Sequence, residues 1–122
     1  MEEGRGRERA GGTAAGFVPP VDVFDGPQGW TVQVAVPGAK RADVGVSWDA
    51  ERSALRVSGA VKRAGGDRLV GSMAMGEREV GGFTREIRLP PRGGAGEVDG
   101  GGIGFAVEDG LLSVTVPRKA GR

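Results

Sequence analysis

Cysteine, histidine and tyrosine are all absent from this chain. Without cysteine there is neither a disulfide nor a thiolate metal site, which fits a reducing compartment. Without histidine, imidazole acid–base catalysis and imidazole-ligated zinc are excluded. Carboxylates, lysines, arginines and hydroxyls remain. No carboxylate sits inside an apolar run, where burial would tune it for acid catalysis, so neither an enzyme nor a cofactor is expected. An excess of one charge is missing too. Lys+Arg number 17 and Asp+Glu 16, a net charge of +1 that points to neither nucleic acid nor a membrane surface as partner. No apolar run approaches the roughly 20 residues that span a bilayer. The opening "MEEGRGRERAGGTAAG" lacks the apolar centre of a secretory signal. A soluble, cytoplasmic protein is the expectation.

Glycine is what the chain has in plenty. The 25 glycines and 7 prolines make up about a quarter of the 122 residues, which touches the range where an ordered core becomes marginal. The length suffices for one domain and one core. Residues 1–16 balance three arginines against three glutamates with no apolar periodicity, and read as a disordered glycine-rich tail. Residues 17–119 carry the domain, and 120–122 form a short C-terminal tail.

Within the domain the apolar residues alternate. "VDVF" (21–24) follows two prolines, which suits the entry to an edge strand. "WTVQVAV" (30–36) puts Trp30, Val32, Val34 and Val36 on one face. "VGVSW" (44–48) aligns Val44, Val46 and Trp48; "ALRVSG" (54–59) aligns Leu55 with Val57. "IGFAV" (103–107) leads through "EDG" into "LLSVTVP" (111–117), the signal of a hairpin. "RLVGSMAM" (68–75) is a weaker strand. No window sustains a helical period. Seven to eight short strands separated by turns predict an all-β, antiparallel, immunoglobulin-like sandwich.

Two motifs are set aside. "GGAGEVDGGG" (93–102) has the glycines of a phosphate cradle, but a strand follows where a helix should open, and no Gly-Lys-Ser/Thr occurs. It reads as a long loop. "GRGRERAGG" has the look of an RNA-binding tail, yet glutamates neutralise it and no aromatic is interleaved for stacking. Trp30 and Trp48 lie on alternating faces and belong to the core. Met73 and Met75 leave two readings open: a strand in the chain's own sandwich, or an arm that packs on a second copy. In "VGGFTREIRLPP" (80–91), Arg85 shares a face with Phe83, Ile87 and Leu89. Either its stem lies on the sheet with its head in water, or its guanidinium meets a partner.

The order of these segments resembles the α-crystallin domain of the small heat-shock proteins, in its plant, fungal and bacterial branch. "VPPVDVF" looks like the opening strand of that domain. "VAVPGAKRADVGV" is similar to its Leu-Pro-Gly-Val followed by a charged pair, an acid and an aliphatic. "LRVSG" resembles the strand ending in Ser-Gly. "GEREVGGFTREIRLP" is similar to Glu-Arg followed by Gly-x-Phe-x-Arg-x-Phe-x-Leu-Pro, and "VEDGLLSVTVPR" to the Asn/Asp-Gly-Val-Leu signature closing on Val-Pro-Lys. The likeness covers roughly residues 18–119. Phe105 departs from it, standing where the family usually has alanine. No Ile-x-Ile follows "VPRKAGR", and the long apolar N-terminal arm of the family is reduced to a polar tail.

The resemblance implies an ATP-independent holdase that binds unfolded or aggregation-prone client proteins. It also implies a homodimer, with larger oligomers left open by the missing Ile-x-Ile. The dimer interface would comprise Val21 and Val23 on the receiving edge, Met73 and Met75 on a crossing arm, and Arg85. A client or tail groove would lie between edge strands carrying Val44, Val46, Ile103, Phe105 and Val107, with Phe105 partly filling it. A CS-domain-like co-chaperone and a non-catalytic interaction sandwich are the alternatives.

Overall fold

The computed structural model describes residues 17–90 and 97–119. The tails expected over 1–16 and 120–122 lie outside the described residues, as does the first half of the 91–102 loop. Seven strands are described: β1 (Val21–Gly26), β2 (Gly29–Ala35), β3 (Val44–Asp49), β4 (Ala54–Val61), β5 (Gly81–Arg88), β6 (Gly104–Glu108) and β7 (Leu111–Pro117). All pairings are antiparallel, giving a four-stranded sheet of order β1-β2-β7-β6 and a three-stranded sheet of order β3-β4-β5.

Register explains the core. Val32 stands opposite both Val23 and Val114, and Val34 opposite both Val21 and Leu112. Side chains directly across an antiparallel pair share a face, so one face of this sheet is apolar throughout. Val32, Val34, Leu112, Val114 and Val116 are fully buried, and so are Leu55 and Val57 of β4 from the other sheet. All belong to a single cluster with Phe83 and Leu89, so the two sheets share one core. Each such side chain contributes about 1.5–3 kcal/mol by leaving water. The sheets differ in width by one strand, and the cost falls on β1. Val23 is on the core-facing side yet remains 43% exposed, and Phe24 is 50% exposed on the other.

Gly59, the last residue of "LRVSG", has a steric reason. A Cβ there would lie 2.5 Å from the Asp43 carbonyl oxygen and 3.1 Å from the Phe83 ring. A single 3-10 turn, Arg41–Asp43, therefore rests on this glycine before β3 begins.

The expected strand at "RLVGSMAM", with Met73 and Met75, does not form. Gly66–Gly71 make a short helix, α1, and Met73 and Met75 follow it outside any strand. A strand needs a ladder partner for its backbone; a helical turn satisfies the same groups locally. Leu69 and Arg68 are good helix formers, and Asp67 in the first turn complements the dipole. Ser72 ends the helix by donating its hydroxyl to the Leu69 carbonyl at 2.8 Å. Residues 62–80 form an arm whose base is closed by Arg63 donating to the Arg78 carbonyl at 2.9 Å.

Candidate functional site

Two sides of the sandwich are lined by strands that end their sheets. On the first, β3 terminates the three-stranded sheet and β6 the four-stranded one. Val44, Val46, Ile103, Phe105 and Val107 are all partly buried and pack against the core cluster. Ile103 stands one residue ahead of β6. Their alternation places them inward: Val46 faces Val57, Phe105 faces Val114 and Val107 faces Leu112 across their pairs. The five residues expected of the groove thus face inward, two on β3 and three on or just ahead of β6. At one end Trp48 meets the glycine turn before β6, where a Cβ on Gly100 would lie 3.1 Å from the indole.

Arg41 is the residue on this side that sequence reasoning did not single out. Its guanidinium carbon stands 4.1 Å from the centroid of the Phe105 ring, and its Nη1 donates to the Phe105 carbonyl at 2.6 Å. The only sequence signal was the charged pair "KR" after Pro-Gly, and nothing in it names a partner 64 residues away.

The second side is lined by β1 and β5, and here the lead-in to β1 crosses over. The Phe17 amide donates to the Gly82 carbonyl at 3.0 Å. Its ring packs edge-on against Phe83, with centroids 6.2 Å apart and planes at 84°. Arg85 stands opposite Val57 on the core-facing side of β5 and donates from Nη1 to the Pro19 carbonyl at 2.7 Å. Its guanidinium therefore has an acceptor within its own chain. Its Nε is buried with no hydrogen-bond partner among the described residues.

Val21 is partly buried and Val23 exposed on β1, while Met73 and Met75 are 48% and 76% exposed on the arm. Leu69, Val70, Met73 and Met75 line a depression of about 350 Å³ flanked by Arg63 and Arg78. These are separate segments of the chain, one strand and one arm.

A second arginine also escaped sequence reading. Arg118 has only 8% of its side chain exposed; it pairs with Asp25 at 2.6 Å and donates to the Gly26 carbonyl at 2.6 Å. Its guanidinium lies 5.6 Å from the Trp30 ring centroid. It pins the β1–β2 hairpin to the end of β7. Both tryptophans pack on the core, as their alternation implied.

Among the described residues, no group of three or more His, Cys, Asp or Glu could hold a metal ion. No helix there is long and apolar enough to cross a membrane. The arrangement is a β-sandwich with apolar side chains at the rims of both sheets.

Comparison with known proteins assigns the sandwich. Residues 22–122 match the model of the Hsp20/alpha crystallin family. A 21.9 kDa heat shock protein of Oryza sativa subsp. japonica is 39% identical over 92% of this chain and 55% of its own length. Heat shock protein 16 of Schizosaccharomyces pombe is 33% identical over 82% of this chain and 66% of its own length. Among solved structures, heat shock protein 16.0 of Schizosaccharomyces pombe superposes with a TM-score of 0.71 at 31% identity, covering 88% of this chain and 71% of that one. The hspA structure from Xanthomonas axonopodis gives 0.71 at 25% identity, covering 86% and 97%.

The chain belongs to the Hsp20/alpha crystallin family. It spans 55% and 66% of the lengths of the rice and fission-yeast proteins it matches.

Proposed function

We propose that this chain is an ATP-independent holdase that covers partly unfolded proteins at the rim between β3 and β6. The observation that carries this reading is the set of five apolar side chains there, half-sunk into the core on, or in the case of Ile103 just ahead of, strands that each end a sheet. Unfolding proteins expose apolar side chains and unpaired backbone together. A rim of this kind matches both, through apolar contact and through addition of a strand. Phe105 fills part of the groove where a smaller residue would leave room.

Association of two copies is the second part of the proposal. Val21 and Val23 supply a receiving edge, and Met73 and Met75 an adaptable apolar arm. Arg85 supports that edge by gripping the carbonyl of Pro19, two residues before β1 begins. Contact between copies would cover apolar surface that is otherwise exposed to water.

Heating a model client with the purified chain and no nucleotide tests the main claim. Light scattering should be suppressed at near-equimolar chaperone. Scattering that rises as fast with the protein as without it overturns the reading.

A further inference from the structure

The groove between β3 and β6 is guarded at one position. β6 and β7 are joined by a two-residue turn, Asp109 and Gly110, with φ of 55° and 84°, and the closing pair is Glu108 and Leu111. In such a hairpin the closing pair exchanges both backbone hydrogen bonds, and alternate residues then turn N–H and C=O away from the partner strand. Counting back along β6, Val107 and Phe105 are the residues turned outward. The Phe105 carbonyl is thus one of the groups an added strand needs, and Arg41 already holds it at 2.6 Å. The same guanidinium covers the Phe105 ring at 4.1 Å. One side chain occupies both what the backbone and what the side chain offer at this position.

Arg41 is exposed, and no carboxylate lies within ion-pair distance of it among the described residues. The nearest acid in sequence, Asp43, accepts from the Lys40 amide at 3.0 Å and stands 3.9 Å from Lys62. Lys40 has no carboxylate partner there either. Among the described residues, the Arg41 guanidinium is therefore held by a carbonyl and a ring alone, with no carboxylate paired to it.

We infer that Arg41 decides what the groove accepts: an extended segment, apolar at alternate positions, that brings a carboxylate to take the guanidinium from the Phe105 carbonyl. A neutral segment must break a short hydrogen bond and a cation–π contact and leave the guanidinium to water. An acid-bearing segment replaces them with a charge-assisted, two-point partner. The inference rests on the groove reading above and adds the chemistry of the guest.

The test uses the whole chain and two dye-labelled peptides followed by fluorescence anisotropy. Both peptides carry two isoleucines separated by one residue; one has glutamate at the flanking positions, the other glutamine. The wild type should bind the glutamate peptide at least about fivefold more tightly, and Arg41→Ala should bring the ratio to about one. Arg41 is exposed, so the variant should keep the wild-type circular dichroism. Val46→Gln locates the binding by weakening both peptides. Ratios that are equal in wild type and Arg41→Ala, with binding still sensitive to Val46→Gln, overturn the role of Arg41 and leave the groove standing. Binding of neither peptide, or binding that ignores Val46→Gln, overturns the groove and this inference together.

Discussion

An arginine on the core-facing side of a strand needs an acceptor, and Arg85 finds one in the carbonyl of the buried Pro19. It therefore ties β5 to the lead-in of β1, linking one sheet to the other. Arg85→Ala removes the donor and leaves a shielded carbonyl unpaired, at a cost of about 1–3 kcal/mol. Arg85→Met should lose less, because it restores the packing of the stem and removes a buried Nε that has no partner among the described residues. Urea midpoints of the two variants check this; equal losses would show that stem packing contributes nothing. The place of Arg85 on the apolar face was legible from alternation alone. Its acceptor was not, because Pro19 lies 66 residues away in sequence. Arg41 and Arg118 stayed invisible for the same reason, with partners 64 and 93 residues distant.

Among the elements, β2, β4 and β7 were legible because their valines and leucines meet a facing sheet. Period-two alternation reports burial only where such a layer exists. β1 alternates too, but its outer position in the wider sheet leaves Val23 in water, and no local pattern records how many strands lie opposite. The arm failed differently. "SMAM" alternates in sequence, yet without a neighbour strand the preceding residues close their backbone bonds in α1. Because Met73 and Met75 are largely exposed, replacing both by serine should leave the thermal midpoint nearly unchanged. If they cover a second copy, the same change should raise the dimer dissociation constant at least about tenfold, the loss of some 1.4 kcal/mol of apolar contact. Native mass across a dilution series reads this directly. A dimer that dilutes identically with and without the methionines removes the arm from the interface.

At the scale of the whole molecule, the rims are unequal. The β5 rim is partly closed by Phe17 and Arg85, the β6 rim is guarded by Arg41, and β1 stands out past the narrower sheet. Val46→Gln should weaken client capture by about an order of magnitude, the effect of losing one partly buried valine contact. It should leave the native mass untouched, because β3 and β1 belong to different sheets. Light scattering and mass measured on the same sample check the separation. A Val46 variant that captures clients normally, or that falls apart, contradicts it.

The order β1-β2-β7-β6 sets the two outermost strands of one sheet three ladder spacings apart, about 14 Å. A twin docked along β1 and a stretch of damaged polypeptide lying along β6 would occupy opposite banks of the same layer. Neither need dislodge the other, so each subunit of the proposed pair would keep a vacant berth. Saturation should then approach one bound segment per subunit, not one per pair.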